Sequence, residues 1–390
     1  MHTGTRAPCP YFEFPIHPVM KRTPLYNVHI KLNAKMVDFH DYLMPLQYGS
    51  IIDEHLQVRK AAGLFDISHM GRFEVSGTGA FPLIQHLITN DASRLAVNQA
   101  IYSPLCNEQG CFIDDILVYK RHENRFLLVV NSSNAAKDLE WLQRHASCYQ
   151  PVKITDLTEQ TALIALQGPH SRRILETTIN QPLGHLQTFY VDEFAWDGVP
   201  ITVSRTGYTG EDGFEIWADA NHAVKLWDAI MNRGERDGLM PAGLGSRNTL
   251  RLEACLLLYG NDMDETVTPL ETTVGWTVKF DKGDFIGREA LLRQRARGIA
   301  RKLVGFEMID RGIPRQDYPV SLGNEAIGKV TSGSFSPSTN KNVGLCLIQS
   351  QAAQTGNEVH IQIRDNKYKA RIVKTPFYTR EITHGHTHTK

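Results

Sequence analysis

The pattern of apolar residues changes near residue 298, and this change limits the folds open to the chain. Beyond that point the apolar residues fall in short strand-like segments with Gly or Pro between them, at 302–308, 325–331, 343–348, 357–364 and 367–374. Many short strands separated by turn residues are typical of a barrel or a sandwich. The sequence therefore predicts a small β-barrel or sandwich as a C-terminal domain.

Before residue 298, strand hairpins alternate with helices. Strand-like runs lie at 112–119, 125–130, 161–166 and 200–204, and helical patterns lie at 50–62, 135–146, 222–232 and 246–258. In the first helix Ile52, Leu56 and Arg59 share one face, and Asn134 is the expected N-cap of the second. Hairpins mixed with helices indicate an α+β fold and not a doubly wound parallel sheet. A length of 390 residues suggests two or three domains.

The charges of the chain are balanced. It carries 42 Lys and Arg residues and 42 Asp and Glu residues, so the formal net charge is zero. Such a chain has no general field for a polyanion, which argues against nucleic acid or an acidic membrane surface as its partner. No apolar run approaches the roughly 20 residues of a membrane helix.

The cysteines and the two ends of the chain give information about cellular location and metal binding. Six cysteines are scattered without a CxxC pair, which gives no sign of structural zinc and suggests reduced thiols in a cytoplasmic protein. Residues 1–19 lack the patterns of secretory and mitochondrial leaders, and we interpret them as a disordered extension before a core that begins at Met20. The tail with His384, His386 and His388 is interpreted as a frayed polar terminus.

Several well-known catalytic motifs are missing from the sequence. There is no P-loop, no GxGxxG after a strand, no HExxH and no GxSxG, so nucleotide-driven and zinc-hydrolase chemistry have no support. The acidic stretch 259–265 departs from the spacing of an EF-hand and indicates a turn. We therefore expect no metal.

Two adjacent aspartates, Asp114 and Asp115, open an otherwise apolar strand. Successive side chains of a strand point to opposite faces, so the two cannot share one role. One is expected to face a cavity beside Leu117 or Tyr119, where a carboxylate can accept a hydrogen bond from a substrate amine or stabilise a developing cation. A turn-and-cap pair is the alternative that spacing alone leaves open.

Three glycines at intervals of three, Gly207, Gly210 and Gly213, precede Glu215 at the start of a strand. This spacing indicates a backbone that needs positive φ or a very close approach. A carboxylate at such a strand start can receive two parallel N–H donors from a flat heterocycle. A decorated hairpin turn is the alternative.

A Gly-rich run leads into a helix that carries Arg247 in its first turn and Arg251 on the same face. An arginine at a helix start is unfavourable for the helix dipole, which calls for a reason. A planar donor fork for a carboxylate or carbonyl ligand is one such reason. Pairing with Glu253 or another acid is the alternative.

Taken together, these stretches resemble the glycine cleavage T-protein family from Met20 onward. The matching segments are TPLY (23–26), MPLQYGSI (44–51), LFDISHMG (64–71), LITND (87–91), IDDILVY (113–119), VVNSSNAAKDLEWL (129–142), LQGP (166–169), SRTGYTGEDGFE (204–215), GLGSR (243–247), TLRLEA (249–254), YGNDMDE (259–265), GWTVKFDKGDFIGREAL (275–291), TSGSFSP (331–337) and PFY (376–378). The chain departs from the family at 39–45, where FAGWEMP is usual, at 245–248, where GARD is usual, and at Cys111, where Gly is common. Asp115, Glu215 and Arg247 are all retained.

The resemblance implies a fold of three domains in a cloverleaf around a central folate site. Two mixed α/β sheet domains would comprise 20–73 with 156–244 and 74–155 with 245–297. The C-terminal β-barrel domain would comprise 298–390. The implied reaction takes the aminomethyl group from the lipoyl arm of the H-protein. Tetrahydrofolate, the co-substrate, accepts the carbon as 5,10-methylene-tetrahydrofolate, and ammonia leaves.

The resemblance also implies roles for individual residues. Asp115 is the catalytic carboxylate: substrate and acceptor are both amines, so it would orient the folate nitrogen and stabilise charge as ammonia departs. Glu215 would bind the amino and amide edge of the pterin, and Arg247 would hold the ligand from the helix start. The implied pocket lining is Met70, Tyr102, Tyr119, Asn131, Tyr208 and Trp276, with Tyr378 closing the pocket from the third domain.

Two other functions fit the same fold. Folate-dependent demethylases share the folate pocket but usually diverge in IDDILVY and TGYTGEDG, which are intact here. Non-catalytic folate-binding relatives tend to lose the aspartate pair and much of the C-terminal domain, and both are present here. The sequence therefore favours an aminomethyltransferase of the glycine cleavage system.

Overall fold

The computed structural model describes residues 20–380, so the expectations for residues 1–19 and for the histidine tail lie outside the described range. Its α-helices are α1 (Tyr26–Lys31), α2 (Ile51–Lys60), α3 (Ala80–Leu87), α4 (Ala135–Ala146), α5 (Ser171–Ile179), α6 (Ala223–Gly234), α7 (Leu244–Glu253) and α8 (Arg288–Arg297). None of these helices has the length and apolar character that a membrane crossing requires. A cytoplasmic location stays a prediction.

The strands form two large sheets, a small hairpin and a barrel. They are β1 (Lys35–Phe39), β2 (Tyr42–Gln47), β3 (Ala62–Asp66), β4 (Gly71–Ser76), β5 (Gln99–Cys106), β6 (Phe112–His122), β7 (Arg125–Val130), β8 (Lys153–Asp156), β9 (Thr161–Gln167), β10 (Val191–Trp196), β11 (Val199–Ser204), β12 (Gly213–Asp219), β13 (Leu239–Pro241), β14 (Arg301–Met308), β15 (Pro319–Leu322), β16 (Glu325–Ser336), β17 (Lys341–Gln349), β18 (Glu358–Ile363) and β19 (Asn366–Val373). The predicted strands and helices before residue 298 are all found, with ends that differ by a few residues.

The first sheet has six strands in the order β10-β11-β12-β9-β3-β13, and only the β13–β3 pair is parallel. Alternate residues of β9 serve its two faces. Ile164 and Leu166 pack on the outer side against Ile174 of α5 and Leu226 of α6. Leu163 and Ala165 belong to the cluster on the other face, which also contains residues of the second sheet. The two sheets therefore pack against each other through their inner faces.

The second sheet is antiparallel throughout, in the order β5-β6-β7-β4-β8. In β6 the side chains of Ile116 and Val118 pack with Leu142 of α4 in the outer cluster. Leu117 and Tyr119 belong to the inner cluster, between the sheets. This alternation places the two aspartates on opposite faces of the sheet. Asp114 lies on the outer face with Ile116, and Asp115 lies on the inner face with Leu117.

The C-terminal strands close into a barrel in the order β14-β17-β16-β15-β18-β19. Its interior holds Phe306, Val330, Ile348 and Ile361, all fully buried. Two mixed α/β sheets followed by a barrel confirm the predicted α+β class, and the closed ring decides between a barrel and a sandwich. Of the six barrel strands, only β15 was not predicted from the sequence.

The predicted domain limits stay a prediction. The sheets agree with them broadly, since the first sheet draws on 62–66 and 161–241 and the second on 71–156. One detail differs: β4 starts at Gly71 and pairs only within the second sheet, although the predicted first domain extends to residue 73.

Three local predictions can be compared with the helices, and the N-cap position of Asn134 is confirmed. On α2, Ile52 and Leu56 are 44% and 42% exposed, and the buried residues are Glu54, His55 and Val58. Asn134 occupies the N-cap position of α4, but its side chain makes no capping bond and donates to Asp114 instead. Helix α7 ends at Glu253, five residues before the predicted end. The buried face of α2 is held by hydrogen bonds of Glu54 and His55 as well as by the apolar contacts of Val58.

Candidate active site

A cavity of about 870 Å³ opens between the inner faces of the two sheets and the start of α7. Eight of the ten predicted site residues line it, namely Met70, Tyr102, Asp115, Asn131, Tyr208, Glu215, Arg247 and Trp276. These side chains come from both sheets, from four connecting segments and from helix α7. The fold therefore brings together most of the set that the sequence scattered over some 200 positions.

Asp115 faces the cavity with Leu117, as one face of strand β6 requires. Asp114 points the other way and is fully buried, where it accepts the backbone N–H of Asn131 at 3.0 Å and the side-chain amide of Asn134 at 2.6 Å. The prediction that the two aspartates differ in role agrees with this placement. Asp114 ties the segment before α4 to the sheet, whereas Asp115 is free to meet a ligand.

Asn131 connects the two carboxyl groups. Its side-chain Nδ2 donates to Asp115 Oδ1 at 2.7 Å and to Asp114 Oδ1 at 2.8 Å. Burial, and next the nearby charge of Asp114, raise the pKa of Asp115 well above its usual value, although Tyr102 and Asn131 favour the ionised form. A carboxyl group with such a raised pKa can exchange a proton near neutral pH.

Glu215 stands at the start of β12 and is almost completely buried. It accepts a hydrogen bond from Thr206 Oγ1 at 2.6 Å, and Thr206 in turn lies 3.2 Å from the hydroxyl of Tyr119. Burial raises the pKa of Glu215, while Thr206 and then Arg247 oppose the rise. The hydrogen bond from Thr206 thus fixes the carboxyl group of Glu215 where it lines the cavity.

Arg247 lies in the first turn of α7 and has no carboxylate within salt-bridge distance among the described residues. Its guanidinium carbon lies 4.6 Å from the ring centroid of Tyr208, and its Nη2 lies 4.0 Å from the sulfur of Met70. Arg251, one turn on, instead forms a buried ion pair with Asp262 at 2.6 Å. The pairing alternative therefore applies to Arg251, and Arg247 keeps its donors for the cavity.

Trp276 and Tyr102 are two aromatic residues that line the cavity. Trp276 is 63% exposed, so its ring stands at the margin of the cavity with one face open to solvent. Tyr102 lies on β5 directly across from Leu117 of β6. Burial and the nearby Asp115 raise the pKa of Tyr102 well above its usual value, so its hydroxyl keeps its proton and can donate.

Tyr119 and Tyr378 do not line the cavity, contrary to the expectation for them. Tyr119 is fully buried behind Glu215 because it sits between the sheets, with its ring edge-on to Trp217. Tyr378 lies against Arg59, whose guanidinium carbon is 3.8 Å from the centre of its ring. Tyr378 is held at this position by its backbone N–H, which donates to the carbonyl of Glu253 at 3.0 Å.

Arg380, which was not predicted from the sequence, lines the cavity two residues after Tyr378. Its Nη1 lies 3.6 Å from Asp212, which also pairs with Arg205 at 2.6 Å. No local pattern marks a single arginine after the last strand. Only the path of the chain from the barrel back to the first sheet brings this cation to the cavity.

The glycines of 207–213 hold the loop that carries Tyr208. A Cβ on Gly207 would lie 2.0 Å from Oε1 of Gln167, and one on Gly213 would lie 2.4 Å from its Nε2. Gly210 has φ +82°, a left-handed conformation that favours glycine. Both predicted reasons for glycine, positive φ and close approach, therefore occur in this loop.

Both carboxyl and guanidinium groups line this partly apolar cavity, and Asp115, Glu215, Arg247 and Arg380 are among them. Asp115 and Glu215 can accept hydrogen bonds from N–H groups, and Arg247 and Arg380 can donate to carbonyl or carboxylate oxygens. Aromatic rings of Tyr208 and Trp276 supply flat apolar surface. Such a site suits a flat nitrogen heterocycle that carries an anionic tail.

Comparison with known proteins assigns the family. The GCVT N-terminal domain family matches residues 25–282, and the glycine cleavage T-protein C-terminal barrel domain family matches residues 301–379. The aminomethyltransferase of Caldanaerobacter subterraneus subsp. tengcongensis is 51% identical over 360 residues, which cover 92% of this chain and 96% of that protein. The aminomethyltransferase of Desulforamulus reducens is 50% identical over 364 residues, which cover 93% of this chain and 99% of that protein.

A solved structure agrees with these matches. The glycine cleavage system aminomethyltransferase T from Bartonella henselae aligns with a TM-score of 0.86 and 33% sequence identity, over 92% of this chain and 98% of that chain. Fold, sequence and both family domains thus point the same way. The chain belongs to the glycine cleavage T-protein family.

Proposed function

We propose that this chain is the aminomethyltransferase of a glycine cleavage system. It transfers the methylene carbon of the aminomethyl group on the lipoylated H-protein to tetrahydrofolate. The bonds of this carbon to nitrogen and to the lipoyl sulfur break, so ammonia and the dihydrolipoyl H-protein are released. The family assignment and near-full-length identity of about 50% to two aminomethyltransferases support the enzyme class. The co-substrate and the partner protein are inferred from the family and from the chemistry of the cavity.

One observation carries the proposal: a partly buried carboxyl group, Asp115, stands at a cavity that has the size and donor set for a folate. A cavity of about 870 Å³ lies within the range of roughly 300–1,000 Å³ that is usual for small-molecule sites. Both reacting partners are amines, so each brings an N–H or a developing positive charge to the reaction. A fixed acceptor at this position serves both.

In this proposal Asp115 orients the nitrogen of the acceptor and stabilises positive charge as ammonia leaves. Its raised pKa also lets it take a proton from the attacking amine and return one to the leaving amine. Asn131, 2.7 Å away, holds the carboxylate in place. The donor of Tyr102 faces the same carboxylate and favours its ionised form.

The remaining groups bind the ligand and keep water out of the cavity. Glu215 accepts from the amino and amide edge of the pterin, because its back is already held by Thr206 at 2.6 Å. Arg247 and Arg380 donate to carbonyl and carboxylate oxygens of the ligand. Tyr208 and Trp276 cover the flat rings and keep water from them. Tetrahydrofolate itself supplies the nucleophilic nitrogen when bound.

The decisive experiment assays the chain with aminomethylated H-protein and tetrahydrofolate and follows methylene-tetrahydrofolate. We expect turnover that depends on both substrates, with ammonia released in equal amount. Parallel assays with sulfonium and aryl-ether methyl donors test the demethylase alternative. Tight folate binding without any turnover would replace the proposal with a non-catalytic folate-binding protein, and demethylation without aminomethyl transfer would replace it with the demethylase.

A further inference from the structure

Phe189 has a backbone conformation that bulky residues rarely adopt. It lies in the segment between α5 and β10 and has φ +63°, in the left-handed region. A residue with a large side chain is strained in this region, whereas glycine and asparagine adopt it readily. The backbone alone therefore gives no reason for a phenylalanine at this position.

Two backbone hydrogen bonds hold Phe189 in this conformation. Its N–H donates to the carbonyl of Arg205 at 3.0 Å, and its carbonyl accepts from the N–H of Ala100 at 2.7 Å. Arg205 directly follows β11 of the first sheet, and Ala100 belongs to β5 of the second sheet. Phe189 therefore joins the two sheets, and its backbone cannot leave the left-handed region without losing one of these bonds.

The side chain of Phe189 lies outside the apolar core and lines the cavity of the candidate active site. The residue is 40% exposed, and it belongs to none of the buried apolar clusters of residues 20–380. Strained residues persist where the surrounding structure holds them, and they are concentrated at ligand-binding sites. The position of the ring therefore suits contact with a ligand better than support of the fold.

Guanidinium groups lie at the end of the cavity to which Phe189 is bonded. Arg205 and Arg380 both line the cavity, and both reach the carboxylate of Asp212, at 2.6 Å and 3.6 Å. The neighbouring Glu211 is already paired with a guanidinium group of α2 at 2.9 Å. One carboxylate between two guanidinium groups leaves a net positive charge. An aromatic face beside such a charge suits an aryl ring that carries a carboxylate.

We propose that Phe189 is a specificity-determining residue that packs on the aryl ring of bound tetrahydrofolate. The ring of Phe189 covers the flat group between the pterin and the carboxylate tail, and Arg380 donates to that tail. The apolar lipoyl arm of the H-protein is the other possible occupant, but it carries no carboxylate for the guanidinium groups. This inference rests on the proposed function, because it takes tetrahydrofolate as the ligand.

Phe189→Asn removes the ring and introduces a residue that adopts the left-handed region readily. We expect the Kd for tetrahydrofolate to rise about five- to tenfold, the effect of a lost aromatic contact. The melting temperature should stay the same or rise, because the backbone strain is relieved. Phe189→Tyr keeps the flat ring and should keep the wild-type Kd. Arg364→Asn is the matched control, since Arg364 has φ +55° but lies in the exposed turn between β18 and β19, and it should leave the Kd unchanged.

Calorimetry with two ligands shows which part of the folate Phe189 contacts. A tetrahydropterin without the aminobenzoyl-glutamate group should bind Phe189→Asn and the wild-type chain equally well, whereas tetrahydrofolate should distinguish them. Equal weakening of both ligands, or an unchanged Kd for tetrahydrofolate, would overturn the inference. An unchanged Kd together with a raised KM for the H-protein would assign the ring to the lipoyl arm instead.

The binding measurement needs no turnover, so the two hypotheses fail separately. A chain that shows the expected difference between the two ligands but transfers no aminomethyl group would support the contact of Phe189 and refute the proposed function. Turnover with an unchanged Kd in Phe189→Asn would do the opposite. A wild-type chain that binds no tetrahydrofolate would refute both.

Discussion

The side-chain amide of Asn131 lies 2.7 Å from Asp115 Oδ1, so the residue after β7 fixes the carboxyl group of the neighbouring strand. The bond needs β6 and β7 in their observed antiparallel pairing, with Leu117 opposite Val129. It links the hairpin register directly to the orientation of the proposed catalytic group. A carboxyl group held in this way can act on a substrate without first being ordered.

The first prediction concerns the carboxyl group itself. Asp115→Asn keeps the shape but removes the charge and the proton acceptor, so we expect turnover to fall by about 100-fold or more. The measurement is the rate of methylene-tetrahydrofolate formation at saturating substrates. Asp365→Asn, in the exposed turn between β18 and β19, is the control for a lost aspartate charge. Wild-type turnover in Asp115→Asn would eliminate the proposed role.

The second prediction concerns ligand binding by Glu215. Glu215→Ala removes the acceptor that Thr206 holds in place, and we expect the Kd for tetrahydrofolate to rise at least tenfold, the effect of a lost hydrogen bond to a charged group. Isothermal titration calorimetry measures the change. Glu325→Ala, at the exposed start of β16, should leave the affinity alone. Unchanged affinity in Glu215→Ala would count against the pterin contact.

The sequence predicted much of the fold because periodicity reports burial. The hairpin of β6 and β7 and the whole span of α4 were identified from alternating or helical apolar patterns, since these faces pack in the outer cluster. Periodicity also located helix α2, but it did not indicate which face of that helix is buried. Its buried face carries Glu54, which accepts from the backbone N–H of Gly243 and from Ser246, and no apolar pattern can signal a hydrogen-bonded interior.

The site was predictable where a motif and a strand face coincide. Asp115 could be placed because alternation along β6 separates it from Asp114, although the pattern alone did not say which aspartate faces inward. Arg380 and the stacking of Tyr378 on Arg59 could not be placed, because they depend on where the chain leaves the barrel. Contacts between distant segments carry no local sequence signal.

The third prediction concerns the contact between the barrel and the sheets. Glu253 is fully buried and accepts from Ser336 at 2.6 Å, from the N–H of Ser338 at 2.9 Å and from Arg59 at 3.0 Å. Glu253→Gln removes one of the two carboxylates that pair with the buried guanidinium of Arg59, the other being Glu211 at 2.9 Å, and it weakens the bonds from Ser336 and Ser338. We therefore expect a loss of about 2–3 kcal/mol in the free energy of unfolding. Urea titration measures it. Glu358→Gln, which breaks an exposed pair with Arg371, should change little, and equal effects of the two would contradict the prediction.

The fourth prediction concerns acid stability. Burial alone would raise the pKa of Asp66, but hydrogen bonds from His29, Ser68 and Thr23 outweigh it and lower the pKa to about 2. A carboxyl pKa below its unfolded value adds stability above the unfolded pKa, and this stability disappears as pH falls through the folded pKa. The shift from 3.8 corresponds to about 2 kcal/mol at neutral pH.

Asp66→Asn tests this point by urea unfolding at a series of pH values. The deficit of the variant should be largest at pH 7 and should shrink steadily as the pH falls from about 5 toward 2. A deficit that stays constant over this range would mean that shape and packing, and not the charge of Asp66, account for the loss. Exposed Asp365→Asn again serves as the reference.

The last prediction concerns the close contact between Gly207 and Gln167. A Cβ at residue 207 would lie 2.0 Å from Gln167 Oε1, and Gln167 cannot move freely because it donates to the carbonyl of Thr206 at 3.1 Å and accepts from Thr209 at 2.9 Å. Gly207→Ala must therefore displace the loop that carries Tyr208. We expect a loss of about 1–3 kcal/mol in the free energy of unfolding, as for overpacking in a core, together with weaker tetrahydrofolate binding.

A double-mutant cycle separates this steric contact from a general effect of alanine. In the Gln167→Ala background the space beside residue 207 is open, so adding Gly207→Ala should cost less than it does alone, with an interaction energy of about 1 kcal/mol or more. Gly49→Ala is the control, because Gly49 has open space around its Cβ position and no positive φ. Additive losses in the cycle would show that the backbone at residue 207, and not its contact with Gln167, requires glycine.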